Sequence, residues 1–194
     1  MHTTRRTRSV LAGAAGLTLA LAGVGFSTVA ASAAPSASSS TCNGLKATIR
    51  GTAGSDTIRG TAGRDVIVAF GGNDEIDGNG GNDVICAGGG NDEVDGDGGN
   101  DWISGGAGAD ELEGGSGNDS IRGGSGNDEL SGDSGADRLW GDAGNDRLDG
   151  DSGNDRLWGG SGRDLLEGGT GADRLFGGTG ADRVYQNEQP DLDD

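Results

Sequence analysis

Histidine is all but missing from this chain of 194 residues: there is one, His2. Proline occurs twice, cysteine twice, and aromatic residues make up 4%. Without histidine the chain has no ordinary proton shuttle at neutral pH. It contains no His-Glu-x-x-His pair and no Gly-x-Ser-x-Gly elbow. Ser116 and Ser125 have no activating base nearby in sequence. These absences argue against an enzyme, and no catalytic residue is assigned. Basic residues are also few, 14 against 32 acidic ones. So negative a surface repels nucleic acid. Leu, Ile, Val and Phe are too sparse for a large core, and composition alone would place the chain among disordered ones.

The N-terminus differs from the rest. Arg5, Arg6 and Arg8 form a positive head, and Val10 to Val29 is uncharged and rich in Ala, Gly, Leu and Val. Ala31-Ser32-Ala33 supplies small residues at a cleavage site before Ala34. Residues 1–33 thus read as a secretory signal peptide, and the chain is expected to be secreted and extracellular. The Gly- and Ala-rich run followed by a cleavage site argues against a retained membrane anchor, so no membrane partner is expected after processing. Arg5-Arg6 hints at twin-arginine export, but Arg8 stands where a large apolar residue is usual, which favours the general secretory route. Residues 34–50 read as a linker and N-terminal cap, and residues 186–194 as an acidic tail. The mature chain keeps 11 basic and 32 acidic residues, a formal charge of −21. Its two cysteines, Cys42 and Cys86, form an even count in an exported chain and are expected to pair. Ser39-Ser40-Thr41 is not the apolar box that a lipid-modified Cys42 needs.

What the chain does have is order. Every ninth residue from Ile58 to Val184 is Ile, Leu or Val. Two residues before each stands an Asp, and four before each stands a Gly, through fifteen units. With the aliphatic residue at position 8, position 1 is Gly in all units but those of Ala69 and Ala87. Position 2 is Gly, Asp, Asn or Thr except at Phe70, and position 5 is often Asn. A strict period of nine marks one small unit stacked many times. Clustered Gly and Asn supply positive φ, so positions 1 to 6 read as a tight turn. Positions 7 to 9 read as a short strand with position 8 inward, too short to stand without neighbouring strands. A column of stacked acids needs a cation, and a chain this acidic can fold when a ligand cancels its charge.

The unit Gly-Gly-x-Gly-x-Asp-x-U-x, with U aliphatic, resembles the RTX (repeats-in-toxin) nonapeptide. The resemblance covers residues 51–185. It implies an all-β fold, a right-handed parallel β-roll (a β-solenoid) of stacked nonapeptide repeats, with two nonapeptides per coil. Ile58, Ile76, Val94, Leu112, Leu130, Leu148, Leu166 and Val184 would then line one sheet. Ile67, Ile85, Ile103, Ile121, Leu139, Leu157 and Leu175 would line the other, in a stack roughly 35 Å long. The resemblance also implies calcium between stacked turns. Its ligands would come from Asp65, Asp74, Asp83, Asp92, Asp101, Asp110, Asp119, Asp128, Asp137, Asp146, Asp155, Asp164, Asp173 and Asp182. The turn backbone at Gly72, Gly81, Gly90, Gly99, Gly108, Gly117, Gly126, Gly135, Gly144, Gly153, Gly162, Gly171 and Gly180 would add carbonyls. Up to about thirteen inter-turn gaps result from fifteen units. A hard cation that takes six to eight oxygens suits such a cage, whereas zinc lacks its nitrogen and thiolate ligands here. Thr52 and Thr61 at position 2, and Arg64 and Arg163 beside their aspartates, make individual sites unequal.

Positions 7 and 9 point outward. On the first sheet they include Glu75, Asp77, Glu93, Asp95, Glu111, Glu113 and Glu129. On the second they read Trp140, Trp158 and Phe176 at position 9 beside Arg138, Arg156 and Arg174 at position 7. Stacked aromatics stabilise strand pairing. An exposed aromatic–arginine ladder also offers a surface for self-association or for an extracellular partner. The scattered threonines do not form the flat array that ice binding needs.

Overall fold

The computed structural model describes residues 40–186. The segment expected to be a signal peptide, residues 34–39 of the linker, and residues 187–194 of the acidic tail lie outside the described residues. Every regular element among the described residues is a strand. The repeat region forms two parallel sheets of eight strands each, and a small third one of Ser134–Gly135, Ser152–Gly153 and Thr170–Gly171 in its turns. The first runs from Thr57–Arg59 through Glu75–Asp77, Glu93–Asp95, Glu111–Glu113, Glu129–Ser131, Arg147–Asp149 and Leu165–Glu167 to Arg183–Tyr185. The second runs from Ile49–Arg50 through Val66–Val68, Val84–Gly89, Trp102–Ala107, Ser120–Ser125, Arg138–Ala143 and Arg156–Gly162 to Arg174–Gly180.

Register follows the repeat. Leu112 lies opposite Val94 and Leu130, and Ile121 opposite Ile103 and Leu139. Each step is therefore two nonapeptides, one per sheet, and the fold is a parallel β-roll. Alternation along a strand turns position 8 inward and positions 7 and 9 outward. The inward residues form one core from Ile58 to Leu166, most of it fully buried. The column is capped by neither sheet at its far end, where Leu175 is partly buried and Val184 is 43% exposed.

The N-terminal end is closed differently. Thr41–Cys42 and Leu45–Lys46 form an antiparallel hairpin. Asn43 and Gly44 turn it with φ of 49° and 77°, the pair of left-handed residues that a two-residue hairpin turn requires. Cys42 is bonded to Cys86, with 5.8 Å between Cα atoms. The hairpin lies over the outer side of the second sheet. That is why Val66, Val68 and Val84 occupy outward positions and are nonetheless buried with Cys42. Ile49–Arg50 pairs in parallel with Val66–Val68, so the second sheet begins inside the segment read from sequence as linker and cap.

Candidate metal centre

From the third turn on, each turn is set by two left-handed residues. Position 2 has positive φ whether it is Gly, Asn or Asp, as at Asn79 (66°), Asp97 (64°) and Asp151 (59°). Phe70 is held at 80°, a conformation unfavourable for so bulky a residue. From Gly72 on, position 4 shows why it is glycine. Gly117 has φ of 146°, and a methyl group there would run into the carbonyl oxygen of Gly99 in the coil before. The coils approach through these backbones, and no side chain fits between them.

Turn amides that face no strand are satisfied by side chains of neighbouring coils. The amide of Asp101 donates to Asp119 Oδ1 at 2.7 Å. The same bond recurs from Asp83 to Asp101 and from Asp119 to Asp137, both 2.7 Å. Position 5 stitches in the opposite direction. The amide of Asn118 donates to Asn100 Oδ1 at 2.9 Å, and that of Ala136 to Asn118 Oδ1 at 2.9 Å. The expectation that this asparagine supplies positive φ is corrected here: position 5 is not left-handed. Its work is to accept an amide across the coil gap. The frequency of Asn at position 5 was the available signal, and a repeat of 18 residues is needed to see its partner.

One oxygen of each aspartate is thus used, and the other is not. Oδ2 of twelve aspartates, Asp74, Asp83, Asp92, Asp101, Asp110, Asp119, Asp128, Asp137, Asp146, Asp155, Asp164 and Asp173, is buried with no hydrogen-bond partner. Buried carboxylate oxygens without a donor are costly. Ten of them point into the space that glycine at position 1 leaves open; Ala69 and Ala87 hold that place beside Asp74 and Asp92. A methyl on Gly141 would stand 2.5 Å from Asp146 Oδ2 and 2.6 Å from the Gly159 carbonyl oxygen one coil on. At Gly96 the distances are 2.8 Å to Asp101 Oδ2 and 2.7 Å to the Gly114 carbonyl oxygen. At Gly150 both are 2.8 Å, to Asp155 Oδ2 and to the Gly168 carbonyl oxygen. A carboxylate of one turn and a carbonyl of the next therefore line one small cradle.

Burial is the main cause that pushes these carboxyl groups up, to about 7 at Asp119 and about 6 at Asp101, Asp110, Asp128, Asp137, Asp146 and Asp155. The amide of the neighbouring aspartate opposes it, and nearby carboxylates add to it. Among the described residues no three acidic, histidine or cysteine side chains converge on one point. A cation here would take most of its oxygens from the backbone. That donor set fits calcium and does not fit zinc.

The first two turns differ. Asp56 Oδ2 accepts from the Thr52 amide at 2.6 Å and from its hydroxyl at 3.0 Å. Asp65 Oδ2 accepts from the Thr61 amide and hydroxyl, both at 2.8 Å. Neither threonine has positive φ, as expected for a β-branched residue. These turns close on their own carboxylates. At the far end Asp182 Oδ1 accepts the Asp164 amide at 3.1 Å, in the last coil of the first sheet among the described residues.

On the outer face of the second sheet, Trp140 and Trp158 stack at 5.0 Å with planes 3° apart, and Trp158 and Phe176 at 5.8 Å and 13°. Arg138, Arg156 and Arg174 run in register beside them. The rings cover one another's faces, so the ladder turns its edges to solvent.

The model of the RTX calcium-binding nonapeptide repeat matches the chain in four copies, at residues 50–85, 87–121, 122–157 and 158–185. The chain belongs to the RTX calcium-binding nonapeptide repeat family. No curated protein matches it. The RTX match spans the two stacked sheets and the turns that carry the unpartnered oxygens. This RTX roll is thus a calcium-binding one, of a kind typical of extracellular proteins and structural in character.

Proposed function

We propose that this protein is a secreted calcium-binding scaffold whose roll closes only when calcium fills the turns. One observation carries the reading: twelve buried aspartate oxygens with no partner, eight of them in a cradle shared with a carbonyl oxygen of the next coil. The RTX turns from Asp74 to Asp173 would hold the ions, each through an aspartate Oδ2 and backbone carbonyls of adjoining coils. When bound, calcium supplies positive charge to a chain that carries −21 after loss of residues 1–33. Asp65, assigned a ligand role from sequence, is proposed instead as a threonine-capped turn. A chain of this design crosses a membrane unfolded where calcium is scarce and folds outside where it is plentiful. Calorimetric titration with calcium, read together with circular dichroism, tests the proposal. The expected result is cooperative uptake of up to about twelve ions with a parallel gain of strand. Uptake without change in strand content would remove the switch.

A second reading concerns contacts. Phe176 is 51% exposed, and the arginine column beside it lies open to solvent. We propose this face as an association surface. Trp140→Ser with Trp158→Ser is expected to leave folding of the monomer intact and to abolish association, as measured by light scattering.

A further inference from the structure

Like charges lie directly opposite each other on both outer faces. Arg138, Arg156 and Arg174 are successive partners on the second sheet, and Glu75, Glu93 and Glu111 on the first. All six are exposed. Among the described residues none of the six takes part in a salt bridge; the pairs that form are Arg59–Asp77, Arg122–Asp142 and Arg147 with Glu129 and Glu167. Charge columns of this kind oppose strand pairing unless something outside the molecule compensates them.

The two columns share one spacing, because each step is one coil of the same roll. They have opposite sign and lie on opposite outer faces. Arginine is also suited to such a contact, since its guanidinium pairs with carboxylates through a rigid fork. The aromatic ladder adds to the match. With its faces stacked, it presents ring edges, and an aromatic edge is the positive part of the ring. The acidic face has a receiving shape: Glu93, Asp95, Glu111 and Glu113 line a dimple of about 80 Å³.

We propose that the basic–aromatic face docks on the acidic face of a second copy of this chain, arginine column against glutamate column, coil for coil. This rests on the association surface named above and supplies its partner. The contact is heterologous, and the two faces lie on opposite sides of the roll. Such a contact does not close on itself, so the assembly grows laterally as a layer of rolls.

The test uses the secreted chain in excess calcium and two charge reversals, R138E/R156E/R174E and E75R/E93R/E111R. Sedimentation velocity of the wild type is expected to show mass rising with concentration beyond a dimer. Raising ionic strength from about 0.1 M to about 1 M, which cuts the screening length from ~10 Å to ~3 Å, is expected to reverse it. Each reversal alone is expected to weaken association about tenfold or more, given three exposed pairs lost. An equimolar mixture of the two variants is expected to restore association as alternating copies. A wild type that stays monomeric, or a mixture no better than its parts, overturns the proposal. Circular dichroism and the calcium isotherm of each variant keep the outcomes separate: association lost with calcium uptake intact concerns the contact, and lost uptake concerns the calcium reading. Should a reversal lose strand content, R138Q/R156Q/R174Q carries the same prediction of weakened association.

Discussion

Asp119 is fully buried, with one oxygen accepting the Asp101 amide across the coil gap and the other unpartnered. Asp56 has the same place in its repeat, but Thr52 holds its second oxygen. The two aspartates should therefore answer differently to one substitution. Asp119→Asn is expected to remove about one ion from the calorimetric stoichiometry and lower affinity at its neighbours, while Asp56→Asn leaves the stoichiometry unchanged. Acid adds a further test. The folded-state values near 6 to 7 lie above the ordinary value of 3.8, so the calcium-free roll binds protons on folding. Its stability is lowest above pH about 7, where all these carboxylates are charged, and rises as the pH falls toward 4. Protons compete with calcium for the same oxygens, so calcium affinity has the opposite trend and falls through pH 7 to 6. Calcium-free circular dichroism is expected to show more strand near pH 4.5 than at pH 8. The position of these aspartates was legible from the strict nine-residue spacing. The division of labour between their two oxygens was not, because it depends on an amide 18 residues away. The asparagines of position 5 hid for the same reason.

Strands of three residues gain their stability from neighbours, and the core residue is the common link. Leu139 is fully buried between its partners Ile121 and Leu157. Leu139→Ala is expected to lower the stability of the calcium-loaded roll by about 2–5 kcal/mol in thermal or denaturant unfolding. The hairpin at the N-terminal end is fixed by a disulfide that spans 44 residues. Its removal, as Cys42→Ser with Cys86→Ser, is expected to cost roughly 4 kcal/mol by loop entropy. Which residue of each strand points inward was legible from the period, and so was the two-column core once two repeats per coil were granted. The pairing of Cys42 with Cys86 was legible from their even count. Strand lengths were not: from Val84–Gly89 on, those of the second sheet run on through the glycines, as in Arg156–Gly162, while those of the first stop after three residues. Position 2 is mostly Asn or Asp after first-sheet strands, as at Asn79, Asp97, Asp133 and Asp151, and mostly Gly after second-sheet ones, a difference that the nine-residue pattern does not show. Ile49 was missed as the first core residue of its column because no turn aspartate precedes it at the repeat spacing.

At the scale of the whole molecule, the balance is between charge and closeness. The roll brings twelve unpartnered carboxylate oxygens out of water in a chain with few aliphatic residues to compensate. Only the first two turns, closed by Thr52 and Thr61 and tied down by the disulfide, satisfy their own carboxylates. In the proposed account calcium completes the turns from Asp74 to Asp173. Hydrogen–deuterium exchange on the secreted chain, with calcium and after exhaustive chelation, tests this most directly. With calcium, turn amides from Asp74 to Asp164 are expected to be protected. After chelation at neutral pH, protection there is expected to vanish and to persist only around Cys42 and Cys86. Equal protection along the whole roll in both conditions, with no ion retained, would contradict the account.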